Sequence, residues 1–383
     1  MKLNPLLFHI GGEDVRMRIP ILTLLQTKGF NVGALGNNDA KAFENTSISY
    51  HDYHLNRWIS PLADLKTKKE LAQIFIEAKP DIIHLFDTKP GVITPGVAKQ
   101  NGVRAVVRTV TGMGYIFSSD SLLSKILKPF YRMAQKRAIR YTDTVIFQNR
   151  DDKEYFEKYQ LVPKNKSVLV ASSGLQVDDF ISQKPDIKTK QRLRKNLGFE
   201  QDDIVVTLIA RLVKDKGVIE FLEASKALSS KNKIKFLLVG PLGSEGKQAV
   251  SKKTIDGFSS SVKYIGPVSN VPEILSISDI FVLPTYYREG LPRILLEAGA
   301  MGLPLITTDM PGCRDVVKDG WNGLLVPIRD PIALAVSINK LISDRSLRIK
   351  MGGRNPSFIK ENFDLSIVAR AYMKIYKELL SGK

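Results

Sequence analysis

With 383 residues, 43% of them hydrophobic and 25% charged, the chain is long for one core, comfortable for two domains, and too apolar for a disordered protein. Its single cysteine, Cys313, excludes an intramolecular disulfide, and no apolar run approaches the roughly 18 residues of a membrane span. The net charge of +18 points to phosphate-bearing partners: lipid headgroups, nucleic acid or a diphosphate substrate.

In chain order, "LLFHI" (6–10) reads as a first strand that enters a glycine turn at Gly11–Gly12, not as a signal peptide. A reducing, cytoplasmic setting is therefore expected. The turn lacks GxGxxG spacing and no P-loop pattern occurs in the chain, so a nicotinamide-dinucleotide fingerprint is absent. These two glycines suit either close approach of a phosphate or acceptor, or a tight turn alone. Further β-branched runs follow at "FNVGAL" (30–35), "DIIHLF" (81–86), "RAVVRTV" (104–110), "DTVIFQN" (143–149) and "SVLVAS" (167–172).

Between them, residues 101–140 hold eight Lys/Arg against one acid, Asp120. Within this stretch, 121–140 reads as a helix with six basic residues and no acid. Leu122, Leu123, Ile126, Leu127, Phe130 and Met133 recur at helical spacings, and Pro129 is expected to kink or divide it. Two readings stand: a helix lying on an anionic membrane surface, or a domain helix with a basic outer face.

The polar segment around 181–196 reads as a linker. A second series of runs follows it: "IVVTLIA" (204–210), "IKFLLVG" (234–240), "VKYIGPV" (262–268), "IFVLPT" (280–285), "LPLITT" (303–308) and "GLLVP" (323–327). Near-continuous apolar strands alternating with helices indicate parallel sheets covered on both faces. The expected fold class is thus α/β, two doubly wound Rossmann-like domains facing a central cleft, with ligands outside the carboxyl ends of the strands. The expected boundaries are 1–183, a linker over 184–196, 197–362, and a C-terminal helix over 363–383.

Two stretches carry the chemistry. "ARLVKDKG" (210–217) places Arg211 and Lys216 beyond a strand end and before a helix, a pairing suited to a diphosphate. "YYREGLPRILLE" (286–297) puts Pro292 in the first turn of a helix, with the Gly290 and Leu291 amides at an anion-favouring helix start. Glu289 and Glu297 are not a glycosidase pair. Such carboxylates stand about 5–9.5 Å apart, whereas eight helical residues rise about 12 Å. The spacing fits two contacts along an elongated ligand. No D-x-D triplet occurs, and His9, His51, His54 and His84 lack ligand spacing, each reading as a strand-end or surface residue. No divalent metal or other cofactor is expected. Nor is a nucleophile elbow or a Cys–His pairing present.

In the E-x7-E motif "EGLPRILLE", and in "ARLVKDKG", "YIGPVSNVPEILSISDIFVLPTYYREG" and "GLPLITTDMPGCRDVVKDGWNGLLVP" placed around it in the order the family expects, the chain resembles the retaining GT-B glycosyltransferases of family 4. "TVTGMGYIF" (109–117) and "VIFQNRDDKEYF" (145–156) are similar to bacterial members that extend polyprenyl-diphosphate-linked glycans. The "TGMGY" stretch stands where many members carry a histidine, so no histidine-based proton role is expected. The resemblance implies an acceptor-binding first domain, a nucleotide-sugar-binding second domain, and a final helix crossing back to the first. It implies that Glu297 bonds the donor's ribose, Glu289 the transferred sugar, and Gly290–Leu291 the diphosphate or sugar. Arg211 and Lys216 then neutralise the leaving group, while Gly240 and Val268 border the base; Gly12 is counted with the donor-binding residues.

The implied function is a retaining, metal-independent hexosyltransferase. It takes a UDP-sugar donor, delivers to a lipid-diphosphate-linked sugar acceptor, and sits at the inner face of the bacterial cytoplasmic membrane through 121–140. Two rival readings compete with it. A nucleotide-sugar epimerase or phosphorylase of the same fold would show its own acid, base or cofactor pattern, and none is found. A basic nucleic-acid-binding protein lacks a recognisable RNA-binding or helix-turn-helix signature, so no nucleic-acid partner is expected.

Overall fold

The computed structural model describes residues 4–12, 14–56, 60–113, 117, 122–229, 233–243 and 248–382. The apolar runs form β1 (Leu6–Ile10), β2 (Asn31–Gly36), β4 (Ile82–Leu85), β5 (Ala105–Val110), β6 (Thr144–Phe147) and β7 (Ser167–Leu169), joined by a short β3 (Ser49–Asp52). They pair in parallel in the order β3-β2-β1-β4-β5-β6-β7. A second parallel sheet holds β8 (Ile204–Ile209), β9 (Ile234–Val239), β10 (Val262–Tyr264), β11 (Ile280–Leu283), β12 (Leu305–Thr308) and β13 (Gly323–Val326) in the order β10-β9-β8-β11-β12-β13. Both are doubly wound. The strand order reverses between β1 and β4 in the first sheet and between β8 and β11 in the second, and such reversals open a crevice at the carboxyl edge.

The chain divides into two compact units: residues 1–174 with 365–383, and residues 175–364. The segment 184–196, expected as a linker, lies inside the second unit and contains the helix Ile187–Asn196. Two features explain the difference. Asp186 caps the helix, accepting from the Thr189 N–H at 2.7 Å. Arg194 is buried and donates to the carbonyls of Ile277 and Glu200, so a basic sequence is held by backbone acceptors rather than by solvent.

The helix Leu365–Ser381 covers one face of the first sheet. Leu365, Val368, Ala369, Tyr372, Ile375 and Tyr376 recur at three- and four-residue steps and pack in one cluster with Leu7, Ile82, Ala105 and Val107. Beneath them lies a polar network. His84 Nδ1 is 2.6 Å from the Tyr376 hydroxyl, His84 Nε2 is 2.6 Å from Thr109 Oγ1, and His9 Nε2 is 3.2 Å from Tyr376. His9 and His84 are fully buried, so the reading of them as strand-end or surface residues is corrected. Burial holds both imidazoles well below their ordinary pKa; Arg18 depresses His9 further, and His9 and then Arg18 depress His84.

The helix Leu122–Ala138 runs unbroken through Pro129, against the expected division. Ser124, Tyr131, Gln135 and Ala138 face inward, and Arg108, buried on β5, donates to Gln135 Oε1. The opposite face exposes Ile126 (53%), Phe130 (60%) and Met133 (63%) beside Lys125, Lys136, Arg137 and Arg140. Leu127 is half-buried. The side chains of Leu122 and Leu123, Asp120, and 114–116 of the "TGMGYIF" stretch lie outside the described residues. No helix among the described residues is long and apolar enough to cross a membrane.

Candidate active site

The second unit holds eight of the anticipated positions, Leu291 among them, at the carboxyl ends of β8, β9, β10 and β11. Beyond β8, Arg211 is exposed and residues Lys214–Lys216 form a single 3-10 turn. Gly217 follows at φ 74° and starts the helix Val218–Leu228. A Cβ here would lie 2.1 Å from the Pro284 carbonyl oxygen, so only glycine lets this turn press against the exit of β11.

The two exits are laced together through one carbonyl. The main-chain oxygen of Asp215 accepts from Thr285 Oγ1 (2.9 Å) and from the N–H groups of Tyr286 (2.9 Å) and Tyr287 (3.1 Å). Thr308 Oγ1, on β12, donates in turn to the Thr285 carbonyl. Burial raises the Asp215 carboxyl, opposed by Arg329, Lys216 and Arg211. This frame delivers Lys216 Nζ to within 2.6 Å of Glu289 Oε1, both side chains mostly buried, and 5.6 Å from the Tyr287 ring centre. The ion pair thus bridges the β8/β11 reversal.

Gly290 and Leu291 are buried just ahead of the helix Arg293–Ala300. Pro292 is its N-cap, at φ −68° and ψ 108°, rather than a residue of its first turn. Gly312, at φ 79°, lets the loop after β12 close over this segment, since a Cβ there would stand 2.5 Å from the Gly290 carbonyl oxygen. Glu297 lies in the second helical turn, where burial raises its carboxyl while Arg293, one turn earlier, opposes the rise through Nε at 2.8 Å. Glu289 and Glu297 therefore each have their own cation, and the structure does not couple them as a pair of acids. Gly240 follows β9 at φ 139°, with its N–H on the Gly266 carbonyl (2.9 Å) and its carbonyl receiving the Tyr264 hydroxyl (3.1 Å). Val268 is half-buried in the loop after β10.

Gly12 lies in the first unit. Its N–H donates to Asp87 Oδ2 at 3.1 Å, and the neighbouring Gly11 carbonyl accepts from the Tyr53 hydroxyl at 2.6 Å. Asp215, Arg293, Thr308 and Asp87 were not anticipated. Arg293 had a signal, standing four residues before Glu297 on one helix face. Asp215 acts through its carbonyl, which no side-chain pattern reports. Among the described residues, no three His, Cys, Asp or Glu side chains are grouped so as to hold a metal ion.

Residues 189–357 match the family model of Glycosyl transferases group 1, and residues 6–149 that of Glycosyl transferase 4-like. One relative is an N,N'-diacetylbacillosaminyl-diphospho-undecaprenol alpha-1,3-N-acetylgalactosaminyltransferase of Campylobacter jejuni, 26% identical over 98% of both chains. Another is the UDP-Gal:alpha-D-GlcNAc-diphosphoundecaprenol alpha-1,3-galactosyltransferase of Escherichia coli, 29% identical over 77% of this chain and 75% of its own. Among solved structures, a glycosyltransferase of Rickettsia africae superposes with a TM-score of 0.83 at 18% identity, covering 100% of each chain. Anabaena HepE in complex with UDP gives 0.79 at 16% identity, over 98% of this chain and 100% of its own. With two GT-B-type parallel-sheet domains and matches to the models of both halves, the chain belongs to the group 1, family 4-like glycosyltransferases.

Proposed function

We propose that this glycosyltransferase moves an N-acetylhexosamine or hexose from a UDP-sugar to a hydroxyl of a polyprenyl-diphosphate-linked saccharide, with retention of anomeric configuration, in the assembly of bacterial surface glycans. The observation that carries the reading is the Lys216–Glu289 pair spanning the β8/β11 reversal with Arg211 on the same exit loop. A diphosphate placed there meets two cations, and a sugar beside it meets a carboxylate that accepts hydroxyl hydrogen bonds. The names of the Campylobacter and Escherichia relatives support the acceptor class, and the UDP complex of HepE supports the donor.

In this mechanism the bond from the anomeric carbon to the diphosphate oxygen breaks as the acceptor hydroxyl attacks from the same face. The departing phosphate takes the hydroxyl proton. Arg211, Lys216 and the Gly290–Leu291 amides stabilise the charge growing on the leaving group, which usually supplies the largest share of such catalysis. Two protein cations perform the neutralising role, so the reading calls for no divalent metal. Glu297, on its helix, accepts from the ribose hydroxyls. The exposed Ile126–Phe130–Met133 stripe with its flanking lysines and arginines supports a peripheral position on an anionic membrane surface, at the inner face of the cytoplasmic membrane, where lipid-linked acceptors are found. Met133, Lys136, Arg137, Arg140 and Tyr141 also border a shallow cavity of about 450 Å³ on that face.

The test is a panel of UDP- and GDP-sugars scored for nucleotide release with a polyprenyl-diphosphate saccharide, plus anomer analysis of the product. Release of UDP dependent on the lipid acceptor, with a retained anomer, is expected. Activity confined to GDP-sugars, or an inverted product, would overturn the donor or the stereochemical assignment respectively.

A further inference from the structure

The exit of β4 carries an outlier. Asp87 has φ 66° and ψ 159°, a backbone region essentially reserved for glycine. It is the N-cap of the helix Thr88–Gln100, where an aspartate ordinarily accepts from its own helix's amides; here no such cap bond forms. The carboxylate is instead turned toward the neighbouring strand exit. Oδ2 accepts from the Gly12 N–H at 3.1 Å, and a Cβ on either Gly11 or Gly12 would stand 3.6 Å from it. Asp87 is exposed, and among the described residues its carboxylate has no other hydrogen-bond partner. The strands involved, β1 and β4, are the two between which the first sheet reverses its order. A strained, solvent-facing carboxylate is thus fixed over the crevice where a doubly wound sheet takes its ligand.

We propose that Asp87 is an acceptor-binding residue, its free carboxylate oxygen accepting a hydrogen bond from a hydroxyl of the acceptor's terminal sugar. The inference rests on the proposed function and adds to it the group that holds the acceptor. The chemistry selects the class of ligand. With the Gly12 amide engaged by Asp87 and a negative charge beside it, the face that Asp87 presents disfavours phosphate. It favours a neutral ligand that brings donors, and a sugar ring is such a ligand. On this basis the first unit takes the saccharide end of the lipid-linked acceptor at β1/β4, and the diphosphate end lies away from Asp87. Tyr53, through its hydroxyl on the Gly11 carbonyl, holds the turn in place beneath the site.

The experiment compares the full-length wild type with Asp87→Asn and Asp87→Gly, using a synthetic polyprenyl-diphosphate saccharide and the donor identified above. Asn retains an oxygen to accept from the Gly12 N–H, and Gly is the residue native to this backbone conformation, so between them they separate the carboxylate from the fold. Both variants are expected to raise the acceptor KM by roughly 10–100-fold, the effect of losing one hydrogen bond to a charged group. The equilibrium affinity for the UDP-sugar is expected to stay within about twofold. An unchanged acceptor KM in both variants overturns the inference. So does a parallel loss of donor affinity, which is the signature of a merely structural role. Failure of the wild type itself to use any polyprenyl-diphosphate saccharide overturns the functional reading and this inference with it, and is read without either variant.

Discussion

The buried histidine pair under the helix Leu365–Ser381 makes the first unit acid-sensitive by a calculable amount. His9 and His84 are neutral when folded, because burial, their proximity to each other and the nearby Arg18 oppose further positive charge, and among the described residues they face the Tyr372 and Tyr376 phenols and no carboxylate. In the unfolded chain each imidazole titrates near 6.5. Below that pH the unfolded state binds more protons than the folded one, so the stabilisation present above about pH 6.5 is lost as the pH falls. At pH 5.5 the loss is about 1.4 kcal/mol for each histidine, or about 2.8 kcal/mol for the two. The assay is urea unfolding at pH 7.5 and 5.5, followed by hydrogen exchange in the C-terminal helix, alongside NMR titration of the two imidazoles. The expected outcome is an earlier opening of that helix at pH 5.5 and imidazole signals that remain neutral throughout. An imidazole of His9 or His84 titrating at or above pH 6.5 in the folded protein refutes the reasoning, as does an opening free energy that is flat between the two pH values.

Other expectations are shorter. Arg211→Ala should reduce sugar transfer by orders of magnitude with an unchanged unfolding profile, since Arg211 is exposed; near-normal turnover would remove it from the leaving-group site. Gly240→Ala places a Cβ 1.8 Å from the Ala210 carbonyl oxygen at φ 139°, so the second unit should melt several degrees earlier and bind UDP more weakly, as read by thermal shift with and without UDP. Cys313 is fully buried and its thiol is pushed up to about 12, so maleimide should label it only after the protein is unfolded; rapid labelling of native protein would contradict that burial.

Most of this fold could be read from one kind of signal. Central strands buried on both faces must be continuously apolar, and the runs from Leu6 to Phe147 and from Ile204 to Val326 announce themselves in that way. Strand β3 does not. It is the edge strand "SYHD", half exposed, and nothing in its composition separates it from a loop. Pro129 does not divide its helix for a related reason: a proline disfavours a helix by local chemistry, but Ser124, Tyr131 and Gln135 are buried on the inner face along both halves of this one. At the site, side-chain motifs were legible because charge and spacing are written in residue types. The hub at the Asp215 carbonyl and the strained backbone of Asp87 were not, since neither main-chain acceptors nor φ values appear in a sequence.

The two-part composition of the first unit sets the order in which the protein can be completed. Residues 1–174 form its sheet, but the face carrying Leu7, Ile82, His84, Ala105 and Val107, partly covered by Ile21, Leu22 and Leu25, is completed by a helix that begins at Leu365. During synthesis at about 5–20 residues per second, that face waits for the whole of the second unit to emerge, an interval of roughly ten to forty seconds. The second unit, contiguous from Leu175 to Asp364, can fold during that interval. The nascent first unit is consequently the species that most needs shielding from aggregation, and an expression fragment ending at residue 174 inherits the same uncovered surface.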